Sequence, residues 1–301
     1  MGMKGFKGFE KDFSCGGKQC EENTTYEEYG EGCCYKGVMH FYEDPWEVLN
    51  HYDLVDGNGN LSEFAEVEAL GQVWNDGEKR ATNKIHVGAK LGLKGFLKAC
   101  IDFTLEKTNG TNLSGNSAQI GSSGDSAQIG SSGNYAQIGS SGNSAQIGSS
   151  GDSAQIGSSG DSAQIGSSGY SAQIGSSGDS AQIGSSGNYA QIGSSGYYAQ
   201  IGSSGYSAQI GSSGDSAQIG SSGDYAQINS TGEDAVIMCA GRKSKAKGKK
   251  GSWITLAEWV KDEEKGRYVP ICVKTERVDG EKIKDDTYYT LKNGEFSEVE
   301  E

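Results

Sequence analysis

Ser117-Ala118-Gln119-Ile120-Gly121-Ser122-Ser123-Gly124-Asp125 is followed at once by Ser126-Ala127-Gln128-Ile129-Gly130-Ser131-Ser132-Gly133-Asn134, and the unit runs on with almost no drift to Asp234. The triplet Ala-Gln-Ile begins at residue 118 and recurs every nine residues to 226, thirteen copies without an insertion. A looser fourteenth follows as Ala235-Val236-Ile237. Gly and Ser richness alone reads as linker, but a linker has no reason to hold Ala and Ile in phase. A fixed short period signals stacked units. Ala and Ile, two apart, share one face of a strand while Gln takes the other. The expected strand is Ser-Ala-Gln-Ile-Gly. Ser-Ser-Gly-X is the expected corner, its Gly supplying the backbone freedom of a tight turn. One unit buries too little to fold alone, so copies stack.

Two units make a flattened two-sided coil, and three make a triangular one. The two-sided form is favoured, because Ala and Ile facing Ala and Ile fill a thin core. Fourteen units then give seven coils and a stack about 33 Å long, at about 4.8 Å per coil. The expected fold is therefore mainly β: a parallel β-solenoid of nonapeptide repeats, two per coil, over 109–256. A small N-terminal α+β domain occupies 1–108, and a C-terminal β-meander cap 257–301.

Variation is confined to two corner positions. In a two-sided coil, alternate X residues line opposite edges. One edge reads Asp125, Asn143, Asp161, Asp179, Tyr197, Asp215, Glu233; the other reads Asn116, Asn134, Asp152, Tyr170, Asn188, Tyr206, Asp224. The following position is Ser except at Tyr135, Tyr189, Tyr198, Tyr225 and Asp234. Every charge in the tract is negative, and no Lys or Arg lies between Thr108 and Arg242. Asp and Asn are good turn formers, which accounts for them without function but not for the seven Tyr. The candidate partner-binding residues are Asp125, Asp152, Asp161, Tyr170, Asp179, Tyr197, Tyr206, Asp215, Asp224 and Glu233. The period is shared with the calcium-binding nonapeptides Gly-Gly-x-Gly-x-Asp-x-U-x, but the ligand Asp is replaced by Ala, as at Ala127 before Ile129, so no calcium is expected.

The chain carries a formal net charge of -14 with pI near 4.7, which disfavours general nucleic-acid binding. No hydrophobic run is long enough to span a membrane, and the N-terminus has no apolar signal core. With seven Cys, reduced thiols in a cytoplasm are expected. The spacing of Cys15, Cys20, Cys33 and Cys34 is poor for zinc. His40 beside Glu43 and Asp44 reads as a strand histidine near surface acids. Asp53, Asp56, Asn58 and Asn60 lack the last ligand and flanking helices of a calcium loop. No acid–base, nucleophile or metal set stands out, so neither an enzyme nor a cofactor is expected.

Within the N-terminal region, Lys4 to Phe9 reads as a short strand or turn pair. Gly37 to Tyr42, Phe64 to Leu70 and Lys84 to Ala89 read as strands. Asp44-Pro45 starts a helix, Asp56 to Asn60 is a turn, and Leu93 to Phe103 is helical. The segments Lys4-Gly5-Phe6-Lys7-Gly8-Phe9-Glu10-Lys11-Asp12, Gly37-Val38-Met39-His40-Phe41-Tyr42-Glu43-Asp44-Pro45-Trp46-Glu47-Val48-Leu49 and Ala65-Glu66-Val67-Glu68-Ala69-Leu70-Gly71 resemble a domain of unknown function in proteins of gut Firmicutes and their phages. That domain is often followed by repeats of this kind. The resemblance implies a phage or prophage origin and an intracellular place in the host cell. It supplies no activity and no catalytic residues.

After the repeats, Arg242, Lys243, Lys245, Lys247, Lys249 and Lys250 form a basic cluster. It reads as a solvated loop, a phosphate contact or a dock for the acidic line of a second copy. Ser252 to Leu256 recovers strand alternation, with Trp253 suited to covering an open solenoid end. Arg267 to Val278 is a strand, Asp279-Gly280 a hairpin signal, and Thr287 to Leu291 a return strand.

Two function classes follow. The first is a non-enzymatic phage accessory protein whose acidic solenoid binds a host protein, as a DNA mimic acting on a DNA-binding defence or nuclease system. Pentapeptide-repeat DNA mimics are similar in architecture only. The second is a structural or assembly protein, with the solenoid as rigid spacer or homo-oligomerisation platform; it predicts that repeat number is free to change. A host-protein partner and a homo-oligomer are expected, with no direct nucleic acid and no membrane.

Overall fold

The computed structural model describes residues 2–15, 17–30, 32, 37–56, 59–107 and 115–299. From Gln119 to Ser230 it repeats one strand, Gln-Ile-Gly-Ser (Gln-Ile-Asn-Ser in the last copy), at a spacing of nine, and Val236–Cys239 follows in phase. Alternate strands fall in alternate sheets. Gln119–Ser122 pairs in parallel with Gln137–Ser140, and Gln128–Ser131 with Gln146–Ser149, with Ile on Ile in register. The solenoid is two-sided, as the repeat chemistry predicts. Lys245–Lys247 and Trp253–Asp262 continue the two sheets, so the coils number about eight rather than seven.

Two local readings of the repeat need correcting. The strand is shifted: the first Ser after Gly lies in the strand and points inward, as at Ser158 and Ser176, both 0% exposed. Ala, Ile and this Ser together fill the thin core. The corner Gly also does not carry a positive φ. That conformation falls on the residue after X, with Ser126 at 57°, Tyr189 at 58° and Ser180 at 56°. The Gly is needed because coils stack too closely for a side chain: a Cβ at Gly178 would lie 2.0 Å from the Gly160 carbonyl oxygen.

The N-terminal region is a β domain. Its elements are β1 (Met3–Phe9), β2 (Ser14–Cys15), β3 (Lys18–Gln19), β4 (Thr24–Glu27), β5 (Met39–Tyr42), α1 (Pro45–Val48), β6 (Glu63–Ala69), β7 (Val73–Asp76), β8 (Lys79–Thr82), β9 (Lys84–Lys90) and α2 (Gly92–Lys107). Seven strands form one antiparallel sheet in the order β4-β9-β6-β1-β5-β8-β7. Lys4 to Phe9, read as a short strand or turn pair, is its central strand β1, and the hairpin β7–β8, which was not among the expected strands, turns at Gly77 just after Asp76. Asp44 caps α1, accepting from the Trp46 amide at 2.8 Å. Trp46 Nε1 donates to the Cys100 carbonyl and to Thr104 Oγ1 at 3.1 and 2.8 Å, which locks α1 against α2.

This domain lies along one solenoid face. Ile101 on α2 sits over Gly139, where a Cβ would come within 3.2 Å of it. Leu97 covers Gly157 and Gly175, Leu54 and Leu61 cover Gly193, and Leu61 reaches Gly211. Outward Gln side chains hold the domain backbone. Gln155 Nε2 donates to the Trp46 carbonyl (3.3 Å), Gln173 Nε2 to the Leu49 carbonyl (3.1 Å), and Gln191 Oε1 accepts from the Leu54 amide (3.1 Å). The Gly column is a track without side chains, and apolar residues of the domain fill it.

At the C-terminal end, Arg267–Arg277 adds to Trp253–Asp262 as an antiparallel hairpin, and Tyr289–Lys292 and Glu295–Glu298 extend the other sheet. Asp279-Gly280 is not a hairpin. It opens a loop that carries the chain from one sheet to the other, with Asp279 Oδ1 accepting from the amides of Glu281 and Ile283. The hairpin turn is Asn293-Gly294, both at positive φ, as a two-residue turn of this type requires. Trp253 does not cover the end. It points outward, 47% exposed, because the strand register puts Ile254 and Leu256 inward instead.

Candidate functional site

The two corner lines are the most regular polar features of the molecule. The structure places Asp125, Asp161, Asp179, Tyr197, Asp215 and Glu233 on one corner, and Asp152, Tyr170, Tyr206 and Asp224 on the other.

On the first, acidic corner, each X aspartate is tied to the coil that follows. Asp125 Oδ1 accepts from the Asn143 amide at 2.9 Å, Asp161 Oδ1 from Asp179 at 3.0 Å, Asp179 Oδ1 from Tyr197 at 2.9 Å and Asp215 Oδ1 from Glu233 at 2.7 Å. Asn plays the same part, as Asn143 does for the Asp161 amide at 3.0 Å. Where X is Asp or Asn, its short side-chain acceptor satisfies an otherwise unpaired corner N–H. One oxygen is used in this way, and the carboxylate still projects its charge to solvent. Asp125, Asp161, Asp179, Glu233 and Asp234 are exposed, and among the described residues none of them is paired with Lys or Arg.

The second corner is aromatic. Tyr170, Tyr189, Tyr206 and Tyr225 alternate between the X position and the next one. Their rings follow one another at 5.1, 5.8 and 5.0 Å between centroids, within the range for favourable aromatic pairs. Lys243 Nζ closes the row, 5.3 Å from the Tyr225 centroid. Desolvation and then the neighbouring Tyr189 raise the Tyr170 phenol above its ordinary pKa.

The basic cluster is largely engaged inside the chain. Arg242 Nε donates to Asp224 Oδ2 at 2.7 Å, and its guanidinium stacks 4.2 Å from the Tyr268 centroid. The Arg242 contact holds the Asp224 carboxyl below its usual range. Lys245 and Lys247 lie 4.4 and 4.8 Å from the Tyr288 centroid, and Lys247, 1% exposed, also meets Asp286 at 3.3 Å. Lys249 and Lys250 remain exposed. The segment therefore pins the cap to the last coils.

A cleft of about 540 Å³ opens where the domain meets the solenoid, lined in part by Glu43, Glu47, Glu78, Arg80, Tyr135 and Gln155. Burial, followed by a hydrogen bond to Glu78, raises the Glu47 carboxyl to about 7. Glu43 is paired with Arg80 at 2.8 Å. No group of three or more metal-ligating side chains is present among the described residues; Cys33, Cys34 and Asn58 lie outside them.

Sequence reasoning missed Asn229. It stands where twelve of the thirteen regular repeats carry Gly after Ile. Its Nδ2 donates to Asn60 Oδ1 at 3.1 Å in a buried contact, fixing the register of the domain along the solenoid. The lone departure from Gly in that column was the available signal.

Residues 3–99 match the family model of a domain of unknown function (DUF7666). No curated protein matches the chain, and no solved structure does.

Proposed function

We propose that the chain is a non-enzymatic phage or prophage accessory protein whose acidic corner binds a basic host protein, acting as a DNA mimic towards a DNA-binding defence or nuclease system in the host cytoplasm. One observation carries this reading. Asp125, Asp161, Asp179 and Asp215 stand in one line, each held by a backbone N–H, and none of them is paired with a Lys or Arg among the described residues. Such an array loses little side-chain entropy on binding and attracts a positive surface over a Debye length. The phage origin rests on the N-terminal motifs.

Replacing those four Asp by Asn is a clean test, because Asn at X keeps the corner hydrogen bond, as Asn143 does. The variant is expected to fold like the parent and to lose salt-sensitive capture of DNA-binding proteins from host lysate. Equal capture by parent and variant would sink the reading. A second reading, a rigid spacer or assembly platform, is favoured by the N-terminal domain's grip on successive coils.

A further inference from the structure

The two faces of the solenoid carry the same outward residues, yet only one is covered. On the open face, Gln recurs every eighteenth residue from Gln128 to Gln218, Gly from Gly130 to Gly220 and Ser from Ser132 to Ser222. A Cβ added at any of these six Gly meets nothing within 4 Å. The result is an open trough of about 1130 Å³, floored by Gly and walled on one side by Gln. Its columns run on into Val236, Met238 and Trp253, which are 52%, 53% and 47% exposed. These apolar residues close the uncharged face with a patch of the kind that marks contact surfaces.

We infer that the open face is the contact between two copies of this chain, packed face to face about a twofold axis parallel to the solenoid axis. The covered face shows what this surface accepts: side chains pack down onto the Gly column, as Leu61 does on Gly211, where an added Cβ would come within 3.3 Å of the leucine. The area is sufficient. Nine strands at about 4.8 Å, and three outward columns spanning about 13 Å, give about 560 Å² per copy. Two copies bury about 1,100 Å² in total, above the roughly 1,000 Å² a specific interface needs.

The choice of axis follows from the columns. A twofold along the solenoid sets the long Gln of one copy over the small Ser of the other, with Gly over Gly between them. It also joins the two Val236/Met238/Trp253 patches. The acidic corner of each copy then runs beside the aromatic corner of the other, which ends in Arg242 and Lys243. The perpendicular twofold would set Gln against Gln and acidic corner against acidic corner, a like-charge arrangement that costs affinity. The contact is isologous and closes at two copies.

Sedimentation velocity of the full chain over about 1 to 200 µM tests this by mass action. The parent is expected to pass from monomer to dimer. Gly166→Lys/Gly184→Lys, which adds charge where the monomer has open space, is expected to weaken dimerisation at least about 100-fold with an unchanged far-UV CD spectrum. Met238 lies in the Gly column near the axis, so Met238→Cys is expected to give a covalent dimer on oxidation, beyond the level of the parent. A parent monomeric throughout, a lysine variant that dimerises like the parent, or a Met238→Cys chain that does not cross-link each overturns the inference.

Discussion

Gly178→Ala separates two reasons for a glycine at the corner. If Gly served the turn's dihedral angles, Ala would cost little here, because Gly178 is not at positive φ. The stacking geometry says otherwise. The new Cβ would lie 2.0 Å from the Gly160 oxygen and 2.5 Å from its carbonyl carbon. Relieving this to an ordinary contact requires the two coils to part locally by about 1 Å. Three hydrogen bonds cross that junction: Ser177 N to Ser158 O at 2.9 Å, Ser162 N to Asp179 O at 2.8 Å and Asp179 N to Asp161 Oδ1 at 3.0 Å. Stretched by about 1 Å they cease to be hydrogen bonds, and at about 1 kcal/mol each the loss is about 3 kcal/mol. Ser180→Gly is the counterpart, since Ser180 holds φ at 56°. Relief of the left-handed conformation, about 1 kcal/mol, is offset by a similar entropy cost of Gly, so this change is close to neutral. Gly184→Ala on the open face serves as the control. Urea unfolding followed by far-UV CD at dilute concentration measures all three. A Gly178→Ala chain as stable as the Gly184→Ala control would refute the stacking argument.

Three further outcomes are expected. Deleting one coil, residues 162–179, keeps the repeat perfect but moves Asn229 about 4.8 Å nearer to the first coil, so Asn60 and Leu61 lose their seats; Trp46 emission is expected to shift red and Tm to fall, against free variation of repeat number. The folded Glu47 carboxyl sits at about 7 against 4.5 for the ordinary group, so its neutral form is favoured on folding, and stability present below about pH 4.5 is lost as pH rises through 7. The full linkage is about 3 kcal/mol, and half-exposure reduces the expected loss to about 1 kcal/mol; Glu47→Gln should flatten the dependence of Tm on pH over this window. Ser176 is fully buried and its Oγ has no hydrogen-bond partner, so Ser176→Ala is expected to be neutral or to stabilise by about 1 kcal/mol in denaturant titration.

Much of the fold is written in the period. Nine residues with Ala and Ile two apart dictate one strand and one corner, and the thin core dictates two strands per coil. The corner lines follow at once, since alternate X residues must then fall on opposite edges. The sequence does not reveal why each residue stands there. Asp at X looks like a display of charge, yet its Oδ1 also serves the neighbouring amide, and only the stacked coils show that amide. The basic cluster looked available for a partner, yet Arg242, Lys245 and Lys247 are taken up by Asp224, Tyr268, Tyr288 and Asp286, residues up to about 40 positions away that no local pattern connects.

The repeat alone dictates the solenoid, its two sides and its corner lines, because every copy is forced into the same local structure and the same neighbours. It could not determine which face is covered. Both faces carry Gln, Gly and Ser in the same order, so local chemistry is identical on the two sides. Local chemistry cannot break that equivalence; contacts distant in sequence do, through the packing of α2 against the first coils, the seating of Ile101, Leu97 and Leu61 on glycines of one face, and the single Asn229 that meets Asn60.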